Sequence, residues 1–154
     1  MPLQTWSKDW NELIRNVFFQ DEELKELMKV PDKISIVDFV DKYFIRAGWT
    51  NTTLVDQPVR IVYGDVGPKD TDVPNVKKNE LSFDICVKQE YLRNATYDRL
   101  ELRTHLIANC IIKLLTSERY HGGYRFWIKG DWDLGTRTIG YARYNVSFYY
   151  MKVY

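Results

Sequence analysis

The residues of this chain best equipped for chemistry are few, and each has an ordinary structural use at its position. His105 and His121 are the only histidines. Apolar residues at steps of three and four put His105 on a predicted helix over 98–115, and His121 opens a Gly-Gly turn after it. About four helical turns separate the two if the helix runs through. Neither has a second ligand at the short spacing that metal sites use. Asp84, Asp98 and Glu101 could form an acidic pair for general acid or metal work. Strand face, helix cap and first-turn charge are competing roles for the same three residues. The glycines Gly64, Gly67, Gly122 and Gly123 lack the spacing, the lysine and the hydroxyl of a phosphate-cradling loop. The pattern implies no catalytic set, no cofactor and no metal ligand.

The elements that would position these residues can be read from periodicity. Trp6, Trp10, Leu13, Ile14, Val17, Phe18, Leu24, Leu27 and Met28 predict an N-terminal helix over about 6–29, or two short helices broken near Gln20. Ser7 and Asp9 would cap its start, and Pro31 ends the pattern. Residues 34–48 fit a helix by spacing and a strand by composition. The reading here is a short helix or turn segment that delivers Tyr43, Phe44 and Ile45 to the core. A strand over 59–63 is followed by a stretch rich in Gly, Pro, Asp and Asn, expected to be a long loop over about 64–79. Leu81, Phe83, Ile85 and Val87 alternate with polar residues as a half-buried strand does. Asp98 and Glu101 then open the helix with the stripe Leu102, Leu106, Ile107, Cys110, Ile111, Leu114 and Leu115. A strand over 124–129, a turn-rich link over 130–135 and a closing strand from about Ile139 complete the chain. In the last strand Ala142, Tyr144, Val146, Phe148 and Tyr150 alternate with Tyr141, Arg143, Asn145, Ser147 and Tyr149. The expected architecture is α+β: a mostly antiparallel sheet of about four strands with helices on one face, its strand–helix–strand–strand core spanning about 80–154.

Composition narrows the function classes. At 154 residues a single domain over 1–154 can bury a core unaided. The 22 Lys and Arg residues against 21 Asp and Glu residues give no overall field that would draw the protein to nucleic acid or an anionic membrane. Cys86 and Cys110 have no metal-site spacing and are expected to be buried, reduced thiols of an intracellular protein. The N-terminus lacks a secretory pattern and no segment is apolar enough to span a membrane, so a soluble, cytoplasmic protein is expected. Aromatic residues make up 15% of the chain, and Tyr, Trp and Arg are what buried protein interfaces favour. In the second half Arg93, Arg99, Arg103, Arg119, Arg125, Arg137 and Arg143 lie among aromatic neighbours, interspersed with acids. Protein contact is the first reading of that stretch. A nucleic-acid-binding sheet face built on Arg125, Trp127, Arg137 and Arg143 is the second, and a small enzyme with a dispersed site is the third.

Four segments carry a family resemblance: the N-terminal helix, the strand Leu81-Ser-Phe-Asp-Ile-Cys-Val-Lys88, the helix opening at Tyr97-Asp-Arg-Leu-Glu-Leu-Arg103, and the closing Arg143-Tyr-Asn-Val-Ser-Phe-Tyr-Tyr150. In order and pattern the chain resembles the tail terminator or tail-completion proteins of long-tailed bacteriophages, neighbours of the neck proteins that join head and tail. The resemblance covers the second half well and the first half loosely. It implies a virion protein, not an enzyme, present in the host cytoplasm during assembly. It also implies a homohexameric ring that caps the tail tube, contacts the tube protein and the head or neck connector, and lets DNA pass unread. The additional segment over 34–56, with Tyr43, Phe44 and Trp49, departs from the shorter tail terminators, so a head-closure or connector role is the alternative. On this reading Lys69, Lys77 and Lys78 contact a neighbour or line the channel, and Arg143, Tyr149 and Tyr150 lie near a subunit boundary.

Overall fold

Two long β-hairpins, laid side by side, form most of the sheet in a computed structural model that describes residues 10–47, 57–70, 77–93, 102–119, 121, 123–138 and 140–152. The strands are β1 (Phe44–Arg46), β2 (Val59–Asp70), β3 (Lys77–Lys88), β4 (Tyr124–Thr138) and β5 (Tyr141–Lys152), in the sheet order β1-β2-β3-β5-β4. β1 runs parallel to β2, and the other neighbours pair antiparallel, so the α+β fold rests on a mixed sheet of five strands. The short helices α1 (Glu22–Leu27) and α2 (Ile36–Asp38) precede the sheet, and α3 (Arg103–Thr116) joins the hairpins.

Alternation along the strands makes one face of the sheet apolar. Val59 and Ile61 of β2, Leu81, Phe83, Ile85 and Val87 of β3, and Val146 and Phe148 of β5 share it and are buried. α3 lies over β3, β4 and β5 and buries Ile107, Ile111 and Leu115 in the same core. Aromatic rings bind the layers together. Phe18 stacks on Phe44 with centroids 4.7 Å apart, Phe83 meets Phe148 edge-on at 5.8 Å, and Trp10 stacks on Tyr124 at 5.4 Å. Each such side chain contributes about 1.5–3 kcal/mol by leaving water.

The N-terminal helix is broken, as one of the two readings had it. A π-helical stretch, Ile14–Phe18, ends before Gln20, and α1 starts afresh because the Asp21 carboxylate accepts the Leu24 N–H at 2.9 Å. Lys29 adopts φ 57°, and the Val30 and Lys29 N–H groups donate to the Lys25 and Glu26 carbonyls, a two-bond closure that ends α1 ahead of Pro31. The proposed caps Ser7 and Asp9 lie outside the described residues.

Four other expectations need correction. The sheet has a fifth strand, β1, because the chain leaves the π-helical turn Phe39–Tyr43 extended and pairs Phe44, Ile45 and Arg46 with Ile61, Val62 and Tyr63; the segment does carry Tyr43, Phe44 and Ile45 into the core. The stretch over 64–79 is largely hairpin: β2 continues to Asp70 and β3 begins at Lys77. Gly67 and Pro68 fit there because the register slips between Val66 and Lys69, where a residue without an N–H breaks no ladder. Residues 130–135 belong to β4 and not to a turn, their glycines absorbed at register slips opposite β5. The helix expected from Asp98 begins at Arg103, after an extended Leu102 that caps with no side chain. Asp98 and Glu101 lie outside the described residues.

Candidate interaction surface

The sheet face turned away from α3 is polar but largely closed to water. Strand period places Glu80, Ser82, Asp84 and Cys86 of β3 beside Tyr149, Ser147, Asn145 and Arg143 of β5. Arg143 Nη2 donates to Asp84 Oδ2 at 2.9 Å, and Asn145 Nδ2 donates to Ser82 Oγ at 2.7 Å and to Asp84. Ser147 Oγ donates to Asn145 Oδ1 at 2.7 Å. Asn145, Ser147, Glu80 and Arg60 are all buried. Lys129 Nζ bonds Glu80 at 2.9 Å, and that hydrogen bond holds the Lys129 ammonium above its usual pKa. Rings cover the charges: Arg125 lies over Trp127 at 4.9 Å, Arg60 over Tyr141 at 5.2 Å and Lys129 over Tyr149 at 5.9 Å. Burial pushes the Cys86 thiol up, against the pull of Arg60 and Arg143. The cross-strand bonds fix each donor and acceptor, so the surface is stiff and specific in shape.

The edges of the sheet differ from this floor. Val37, beside the β1 edge, is 61% exposed. At the other edge Ile128 is 49% and Trp132 43% exposed on β4, and Met151 of β5, opposite Arg125, is 45% exposed. Trp132 lies over the backbone at Gly130, where an added Cβ would come 3.8 Å from the ring. Between α2, the π-helical turn and β1 is a cavity of about 290 Å³ lined by Val37, Val40 and Phe44, with Arg15, Arg46 and Asp41 also around it. At the β4 edge Asp131 accepts the Tyr144 hydroxyl, which pushes the Tyr144 pKa up to about 12.

Among the described residues the chemically capable side chains are not gathered into one site. The exposed His105 ring stands edge-on to Tyr144 at 4.6 Å, while His121 is tied by backbone bonds to Tyr124 and faces Phe126. Asp84 is occupied by Arg143 and Asn145. Asp21, Glu23 and Cys110 bring their donor atoms within 4.8 Å of one another. There Asp21 already caps α1, and the Cys110 thiol donates to it at 3.4 Å. Burial first, and the Asp21 charge next, push the Cys110 thiol far above its usual pKa, so it stays a neutral hydrogen-bond donor. Both cysteines are free and buried.

The six expected interface residues fall in different settings. Lys69 pairs in register with Lys78, and Asp70 with Lys77, at the far end of the β2–β3 hairpin beyond the end of the β3–β5 pairing, Asn79 with Tyr150. Arg143 and Tyr149 belong to the polar face. Tyr150 is only 4% exposed; it packs on Trp10 and Phe126 and donates to Asp65, so it serves the core. Burial raises the Asp65 pKa, and that hydrogen bond partly offsets it. The sequence reading missed the pairing of Asp84 with Arg143, which requires the β3–β5 register, and the role of Trp132, which looked like turn because Gly130 and Gly135 flank it. Compared with known proteins, the chain matches no family model and no curated protein.

Proposed function

We propose that this protein is a structural component of a phage virion. On this reading it self-associates into a ring, hexameric by the resemblance, that ends the tail tube and joins it to the head or neck connector while DNA passes through unread. The observation that carries the proposal is the presence of exposed large apolar residues at both edges of the sheet: Val37 beside β1, and Ile128 and Trp132 on β4. A ring that closes by rotation needs two different patches on each subunit, and these are two. The order helix, strand, hairpin, helix, hairpin supports the finer likeness to a tail-terminator subunit with a mostly antiparallel sheet. A head-closure or connector component would use the same two patches and is the alternative within this class.

The test is sedimentation of the purified protein over a wide concentration range, with electron microscopy of the protein mixed with tail tubes. Rings in solution or on tube ends are expected. A monomer throughout, with bare tube ends, would sink the proposal.

Nucleic-acid binding is favoured by one observation, the sharing of one sheet face by Arg125, Trp127 and Arg143. Against it, Arg143 is paired with Asp84, Arg125 is folded over Trp127, and Glu80 shares the face. A DNA titration at low salt should therefore be flat. Binding that weakens steeply with added salt would establish the competing reading.

A further inference from the structure

We infer that the cavity beside β1 is a binding site for a free apolar α-amino acid, held by its carboxylate at Arg15, by its ammonium at Asp41 and by its side chain against the floor of Phe44 and Val40. This goes beyond the assembly proposed above, since it concerns a small guest and not a subunit contact.

Size sets the first limit. The cavity measures about 290 Å³, at the bottom of the roughly 300–1,000 Å³ range of small-molecule sites, so it admits one compact guest. Its base is apolar: Phe44 and Tyr63 are buried there, and Ile36 and Val40 are part-buried against the core. A guest that displaces water from this surface gains most by bringing an apolar group of its own. The N-terminal helical segment forms one wall and the π-helical turn Phe39–Tyr43 the other.

The two walls carry opposite charge. Arg15 stands on the first and Asp41 on the second, both exposed, and neither the guanidinium nor the carboxylate forms an ion pair or hydrogen bond with the other or with any other described residue. Arg46, at the β1 end, is different: its charge already acts on Asp65 and Tyr63, so the recognition does not call on it. One cation and one anion on facing walls of an apolar cleft are the complement of a zwitterion. A neutral guest would crowd both charges without bonding either, and a guest with a single charge would leave the opposite wall unmatched. In an α-amino acid the two charged groups share one carbon, so they can face the walls while the side chain lies on the floor. Asn11, four residues before Arg15 on the same wall, adds a carboxamide able to donate to the same carboxylate.

The experiment titrates small probes into the full chain by calorimetry. L-phenylalanine and L-leucine carry all three features; phenylacetate lacks the ammonium, phenethylamine the carboxylate and glycine the apolar group. The two apolar amino acids should bind saturably, and the three incomplete probes about tenfold more weakly or worse. Arg15→Gln and Asp41→Asn change exposed side chains, and circular dichroism with thermal melting checks that each variant folds. Each should weaken L-phenylalanine about tenfold or more. Asp41→Asn should leave the weak binding of phenylacetate unchanged, and Arg15→Gln that of phenethylamine.

No saturable binding of either apolar amino acid to the folded, unaltered chain would overturn the inference. Phenylacetate binding as tightly as L-phenylalanine would overturn it in favour of a simple anion site. Amino-acid binding unmoved by both variants would put the guest elsewhere on the molecule and overturn it as well. Sedimentation and tube-end microscopy read none of these quantities, so this site and the ring can each fail alone.

Discussion

Arg103 allows the sharpest stability prediction. Its side chain is buried at the first turn of α3, where its Nε donates to the Tyr91 carbonyl and its Nη1 to the Leu27 carbonyl, each at 2.8 Å. A cation at a helix N-terminus works against the helix dipole, so its presence requires compensation. The compensation is that one side chain ties the end of α1, the turn after β3 and the start of α3 together. Replacing Arg103 by Met keeps the length and removes both bonds. Each charge-assisted hydrogen bond contributes about 1.5–3 kcal/mol, and relief of the buried charge and the dipole returns part of the loss. The expected net cost is about 3 kcal/mol. For a chain of this size that corresponds to a fall of roughly 6–12 °C in Tm. Urea unfolding followed by tryptophan fluorescence should show a lower midpoint with an unchanged slope. A loss below about 1 kcal/mol would refute the reasoning and make Arg103 a filler whose bonds water replaces.

Two more perturbations probe the surface. In a double-mutant cycle, Asp84→Ala and Arg143→Ala should show coupling of about 1 kcal/mol, because the pair at 2.9 Å is part-buried, and additive effects would show that the cross-strand pair contributes nothing. Tyr144, with its pKa raised to about 12 by the hydrogen bond to Asp131, should resist ionisation in an alkaline absorbance titration, and Asp131→Asn should bring it back toward 10. Since the folded pKa lies above the unfolded one, the stability this bond supplies is complete below pH 10 and lost as pH rises through about 12.

What could be read in the sequence follows from how local each signal is. Leu81, Phe83, Ile85 and Val87 announced β3 because alternation is a property of neighbouring residues, and all four are buried. The stripe Ile107, Cys110, Ile111 and Leu115 announced α3 for the same reason, though its start was placed too early on Asp98 and Glu101. β1 was not legible: three residues following a π-helical turn become a strand only because β2 lies alongside. The glycine- and proline-bearing ends of β2 and β4 looked like loop, since local composition cannot report register slips that let a ladder pass such residues. For the surface, the aromatic and arginine content was visible, but not the pairings that commit Arg143 to Asp84 and Tyr150 to the core. These depend on residues 59 and 85 positions apart along the chain.

The middle pairing of the sheet, β3 against β5, has a consequence for how the molecule forms. The two hairpins can each close locally, but joining them brings together Ile85 and Tyr144, Phe83 and Val146, and Leu81 and Phe148 across the intervening α3. Closing that long loop comes late and slowly, because its entropy is lost before the contact is gained. Until then each hairpin presents a bare inner edge, so a chain caught at this stage offers two adhesive strands to its neighbours. Pulse-labelled hydrogen exchange should accordingly protect the β2–β3 and β4–β5 ladders before the β3–β5 ladder, and simultaneous protection of all three would argue for a single concerted closure.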